Sequence, residues 1–160
     1  MNRKYTTAEY LSKVNLIRKY FSNAGITTDI IVGFPTETEN DFLETLEFTN
    51  KVNFSDIHPF IFSPRSGTVA YKMKDLPADV KKARIDKLLE RKLELKSNFA
   101  KAQKGKTLDF LFEEFKDGYA VGYTENYLRV YIKDFVDNGK IRKVNIVDEF
   151  MDGASALTID

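Results

Sequence analysis

One stretch limits the folds open to this chain more than any other: Thr27-Thr28-Asp29-Ile30-Ile31-Val32-Gly33-Phe34-Pro35-Thr36-Glu37-Thr38-Glu39. Thr28 to Val32 is short, β-branched and flanked by turn residues, the pattern of a parallel strand covered on both faces. Gly33 permits a turn other residues resist, and Pro35 forbids continuation of the strand. Thr36-x-x-Glu39 has the form of a capping box opening a helix to about Val52, with Phe42, Leu43, Leu46 and Val52 on its apolar side. Strand, glycine turn and helix in this order are α/β grammar, in which ligands sit outside the carboxyl ends of the strands. Ordinary βα packing without a ligand accounts for the same features.

The rest of the chain extends that grammar and then abandons it. Thr6-x-x-Glu9 opens a first helix, with Leu11, Val14, Ile17 and Phe21 at helical spacing and Gly25 as a fitting terminator. A second strand is predicted over Asp56–Phe62, nearly all apolar, with Pro59 marking it as an edge. His58 on this strand reads as a buried packing histidine. The loop Ser63-Pro64-Arg65-Ser66-Gly67-Thr68 follows at its carboxyl end, where Arg65 suits a phosphate or carboxylate or is a surface arginine in a turn. Ala78 to Gln103 reads as one long helix, stopped at Gly105. Beyond it the period drops to two: Leu108, Phe110 and Phe112; Tyr119, Val121 and Tyr123; Leu128, Val130 and Ile132. A last strand is placed near Ile141–Val147. Turn signals fall at Asp117-Gly118, Glu125-Asn126 and Asp137-Asn138-Gly139, and short strands at this spacing describe a small antiparallel barrel.

Charge sharpens the division. Met1 to Pro77 carries nine basic and nine acidic residues, Ala78 to Lys104 nine and four, and Gly105 to Asp160 seven and eleven. The middle segment is either a phosphate-contacting helix, with Lys87 and Arg91 as contacts, or a solvated helix face. On the strand Tyr127 to Lys133, Tyr127, Arg129, Tyr131 and Lys133 lie opposite Leu128, Val130 and Ile132. Two rings interleaved with two cations make a single-stranded RNA platform, though Tyr and Arg also suit an ordinary outward strand face.

Composition excludes several chemistries. The 160 residues contain no cysteine and one histidine. Disulfides, thiolate nucleophiles and thiolate metal sites are therefore out, and a zinc site would need a mostly carboxylate shell. No Ser/His/Asp set or phosphate-cradling glycine loop is present, so no catalytic residue and no metal ligand is assigned. No apolar run approaches the ~20 residues that span a bilayer, and no leader pattern opens the chain. A cytoplasmic setting is expected, without membrane or DNA partners.

The phrases T-T-D-I-I-V-G-F-P-x-E-T, the preceding M-N-R-K-Y-T and the following F-x-x-S-P-R-x-G-T together resemble the radical S-adenosylmethionine methylthiotransferases of the MiaB-like group, nearest to the MtaB branch acting on tRNA. Thr36 stands where that family's turn usually has a second glycine. G-K-T-L-x-x-L-F-E-E, G-Y-T-E-N-Y-x-x-V and N-G-K-x-x-x-V-x-I resemble the TRAM domain, an OB-like RNA-binding barrel that ends such enzymes. The resemblance implies that residues 1–104 are the last strands and helices of a radical-SAM (β/α) barrel, including the basic helix 78–104, and that residues 105–160 are the TRAM-like barrel. It implies a parent enzyme with S-adenosylmethionine and two 4Fe–4S clusters, which adds a methylthio group to N-threonylcarbamoyladenosine next to the anticodon. The C-x3-C-x2-C cluster loop would lie in a missing N-terminal part, and this cysteine-free segment alone would be inactive. Asp29, Gly33, Phe34, Phe62 and Ser63 would border the cofactor. Arg65, Lys87, Arg91, Tyr127, Arg129, Tyr131 and Lys133 would meet the tRNA anticodon stem-loop. A stand-alone RNA-binding module, or a relative acting on isopentenyladenosine or a ribosomal protein, are the alternatives.

Overall fold

The computed structural model describes residues 3–133, 135 and 139–159. The chain divides into two compact units, Met1–Ser22 with Ile26–Leu95, and Asn23–Gly25 with Lys96–Asp160.

In the first unit, α1 (Thr7–Tyr20), β1 (Thr27–Val32), α2 (Glu39–Val52) and β2 (Asp56–Ile61) alternate, followed by a short 3-10 helix (Val69–Lys72) and most of α3 (Ala78–Ala102). The Thr6–Glu9 capping box forms as expected. The second box does not: Thr38 is the N-cap and Asp41 its partner, two residues beyond the expected pair. Glu39, the partner expected for Thr36, instead accepts from the Arg84 guanidinium at 3.3 Å. Gly25 does not terminate α1, which ends at Tyr20 with Phe21 as C-cap. At the far end of α2, the Arg18 guanidinium donates to the carbonyls of Val52 and Asn53, both at 2.6 Å, satisfying acceptors that a helix end leaves open.

β1 and β2 pair in parallel, from Thr27 opposite Asp56 to Val32 opposite Ile61. Their helix-facing side is packed: Val32, Ile57, Phe42, Val52, Leu88 and Val14 form one buried cluster. The other side has no cover among the described residues. Asp29 and His58 are exposed there in register, and so are Ile31 and Phe60. His58 is thus exposed rather than a buried packing residue, because none of the described residues overlies its face of the sheet.

In the second unit, β3 (Thr107–Lys116), β4 (Tyr119–Thr124), β5 (Arg129–Ile132), β6 (Arg142–Phe150) and β7 (Gly153–Thr158) close into a barrel of order β3-β4-β5-β7-β6. It is mixed rather than purely antiparallel, because β5 and β7 run parallel. β7 is a strand the period-two reading lacks, and β6 runs to Phe150 rather than Val147. Asp117 and Gly118, with φ of 51° and 80°, make the tight hairpin turn between β3 and β4. Asp137 and Asn138 of the third turn signal lie outside the described residues. The barrel is filled by Leu108, Phe110, Leu128, Val130, Ile132, Val144 and Ile146, with Phe99 and Ala100 from the end of α3 packed into the same cluster. Gly153 lies so close to the Arg129 carbonyl that a Cβ there would collide with it. This arrangement is compatible with a TRAM-like barrel.

Candidate functional site

The turn after β1 is held by charge as well as by glycine. Gly33 has φ of 79°, in the left-handed region. Its N–H donates to Glu37 Oε2 at 2.7 Å. Arg84 donates to the same oxygen at 2.6 Å and to the Glu37 carbonyl at 3.2 Å. Both side chains of this ion pair are nearly buried, 7% and 10% exposed, and the guanidinium lies 5.5 Å from the Phe42 ring centre. The Lys81 stem covers Gly33, so any Cβ at this position would run into Lys81 Cγ. The Gly33 N–H is therefore occupied and buried rather than open to a ligand.

Beside the turn, Phe34 and Phe62 meet edge to face with centroids 5.2 Å apart. The Phe62 N–H donates to the Val32 carbonyl at 2.8 Å. The structure thus brings Phe34, Phe62 and the exposed Ser63 to the carboxyl end of the sheet, while Asp29 stands earlier on β1, on the uncovered face opposite His58. Arg65 is exposed; its carbonyl accepts from the Thr68 hydroxyl at 2.8 Å. A cavity of about 410 Å³ lies on the other, helix-facing side of β1, bordered by Tyr5, Tyr10, Thr28, Asp41 and Phe48, and includes none of the expected cofactor contacts.

The basic helix is neutralised within the chain. Lys87 approaches Glu39 at 3.9 Å, and Arg91 pairs with Glu94 at 2.7 Å and donates to Asn50. Lys82, Lys92 and Lys96 pair with Asp86, Asp56 and Asp152. The partners of Lys92 and Lys96 come from distant positions, so a count along the helix overstates its free charge.

On the barrel, the expected platform is not one open strand face. Tyr127 precedes β5 with φ of 64° and is 82% exposed. Tyr131 is 6% exposed, and its hydroxyl donates to Asp152. Arg129 donates to the same carboxylate at 3.3 Å and lies 3.8 Å from Glu114. Burial and the Asp152 carboxylate push the Tyr131 hydroxyl up to about 12. Burial raises the Asp152 carboxyl, but the Tyr131 hydroxyl, Lys96 and Arg129 together outweigh it and hold it below its ordinary value. What remains open is a different group of rings. Tyr119 and Phe150, both partly exposed, lie 5.1 Å apart, and Lys133 Nζ stands 5.5 Å from the Tyr119 ring. Sequence reasoning missed Tyr119 and Phe150 because they sit on β4 and β6, and only barrel closure makes them neighbours of Tyr131.

No family model matches the chain. Individual proteins do. It is 40% identical over 149 residues to the tRNA-2-methylthio-N(6)-dimethylallyladenosine synthase of Aquifex aeolicus, covering 92% of this chain and 34% of that protein. It is 38% identical over 154 residues to the threonylcarbamoyladenosine tRNA methylthiotransferase MtaB of Bacillus subtilis, with the same coverage of each. The dimethylallyladenosine synthase of Bacillus velezensis is 43% identical over 151 residues. Over nine-tenths of its length this chain matches a portion of the MiaB-like tRNA methylthiotransferases. It spans about a third of the length of the curated relatives it matches.

The chain has no cysteine, and no group of three His, Asp or Glu among the described residues is placed to hold a metal. No helix among the described residues is long and apolar enough to cross a membrane.

Proposed function

We propose that this chain is the C-terminal part of a tRNA-modifying radical S-adenosylmethionine methylthiotransferase. In this reading the enzyme adds a methylthio group to a hypermodified adenosine beside the anticodon. The observation that supports it is identity near 40% across nine-tenths of the chain to enzymes named for methylthiolation of tRNA adenosines. The first unit would supply barrel wall: its two parallel strands leave one face bare, as a piece of a larger parallel sheet would. Asp29, Phe34, Phe62 and Ser63 would border S-adenosylmethionine; Gly33 would shape the turn rather than touch the cofactor. The cluster-binding cysteines would belong to the missing N-terminal part. The second unit would grip the anticodon stem-loop, with Tyr127, Lys133 and the Tyr119–Phe150 pair as its open rings and cation.

The phrases M-N-R-K-Y-T and S-P-R-S-G-T favour threonylcarbamoyladenosine as the base. The 43% identity to a dimethylallyladenosine synthase supports the other substrate. Expression of the whole upstream frame in a strain lacking both activities, followed by mass spectrometry of its tRNA nucleosides, decides the matter. The methylthio derivative of threonylcarbamoyladenosine is expected. The dimethylallyl derivative would move the chain to the other branch, and the absence of both would overturn the enzyme reading.

A further inference from the structure

The middle segment of the chain has the largest excess of positive charge, yet that charge is spent internally. All nine cations between Ala78 and Lys104 lie within 4.0 Å of a carboxylate oxygen, from Lys81 on Asp75 to Lys104 on Asp148. The loop at the carboxyl end of β2 is the reverse case. Arg65, Lys72 and Lys74 are all exposed there, and none has an ion pair among the described residues. The carboxylate within reach of that run, Asp75, is taken by Lys81 at 2.6 Å. A cation already seated on a carboxylate must leave it before it can meet a phosphate, whereas an unpaired one gains the contact outright.

The loop is also shaped. Gly67 has φ of 82°. The Thr68 hydroxyl donates to the Arg65 carbonyl at 2.8 Å and accepts from the Tyr71 N–H at 3.3 Å. This turn leads into the short helix Val69–Lys72, on which Val69 is 79% exposed and Tyr71 55% exposed. An open ring among three unneutralised cations meets the two needs of an unpaired RNA strand: a stacking partner for a splayed base and counter-charge for its backbone.

We infer that residues 65–74, and not the basic helix, form the backbone-contacting surface of the first unit for a looped RNA strand. Arg65, Lys72 and Lys74 meet phosphates, and Tyr71 stacks on a base. The inference rests on the tRNA reading above and adds to it Lys72, Lys74 and Tyr71.

The test titrates the 160-residue chain with a fluorescent anticodon stem-loop between low and moderate salt. Each neutralised phosphate contact should reduce the slope of log K against log salt by about 0.7–0.9. Lys72→Ala/Lys74→Ala is therefore expected to flatten it by about 1.5, and Tyr71→Ala to weaken binding roughly ten-fold with the slope unchanged. Lys87→Ala/Arg91→Ala, the matching change on α3, should leave the slope within about 0.3. An unchanged slope in the loop variant, or an equal loss in the helix variant, overturns the assignment. Equal competition by duplex DNA of the same length overturns the choice of RNA. If the unaltered chain binds no stem-loop, the RNA reading itself falls, and the loop with it.

Discussion

The barrel and the two-stranded sheet are built from similar residues and end in opposite conditions. In the barrel every strand has two neighbours, so none is an edge strand, and the apolar side chains converge on one interior. In the first unit, β1 and β2 have only each other among the described residues, and Ile31 and Phe60 stand 38% and 52% exposed on a face that closure of a sheet would turn inward. Self-sufficiency is a matter of topology here: strands of equal apolar content are finished when the sheet closes and unfinished when it stops at two.

The sharpest test of that contrast compares two phenylalanines. Phe110→Ala, inside the barrel, should cost about 3–5 kcal/mol in urea unfolding. Phe60→Ala, on the bare face, should change stability by less than about 0.5 kcal/mol. A large loss at Phe60 would mean that its face is covered in solution. Next in size is the buried pair at the turn. Glu37→Gln leaves the buried Arg84 guanidinium only the exposed Glu39 carboxylate, 3.3 Å away, and should cost about 2–3 kcal/mol, while Glu37→Gln with Arg84→Met should recover most of it. A double variant as unstable as the single one would show that the pair does more than neutralise itself.

Smaller effects follow from conformation and pH. Gly33→Ala must adopt φ of 79° against the Lys81 stem, and about 1–2 kcal/mol should be lost. The barrel carries two titrating groups with opposite signs. Asp152 ionises more readily in the folded state than in the unfolded chain. Its contribution is therefore present above the ordinary aspartate range and fades as pH falls through it. Tyr131, raised to about 12, contributes fully below the ordinary tyrosine value of about 10 and loses that contribution between there and 12. Melting of the chain should fall at both ends, and Tyr131→Phe should abolish the alkaline fall. Retention of that fall in the phenylalanine variant would assign it to another tyrosine.

How far the sequence could be read differs between the same two regions. The strand–turn–helix order of the first unit was legible because hydrophobic period and glycine act locally. The capping residue was not. Thr36-x-x-Glu39 and Thr38-x-x-Asp41 satisfy the same spacing, and local sequence does not show that Arg84, 45 positions beyond Glu39, holds that carboxylate at 3.3 Å. Alternation found most barrel strands, but β7 is Gly-Ala-Ser-Ala-Leu-Thr, whose buried members are small and give little signal. Parity along β5 failed at Tyr127, because a positive φ breaks the alternation that would place it beside Arg129 and Tyr131. The paired state of the basic helix was equally hidden, since Asp56, Glu149 and Asp152 reach it only after folding.

His58 gives the bare sheet face an unusual experimental property. It is the only histidine of the chain, and it stands in register with Asp29 on that face. Its ring protons will give one isolated pair of resonances in a proton NMR spectrum, already assigned by composition. Whatever comes to lie on that face, whether a further strand, a second chain or a nucleoside, will displace those two signals, and their chemical shift becomes a built-in gauge of its occupancy.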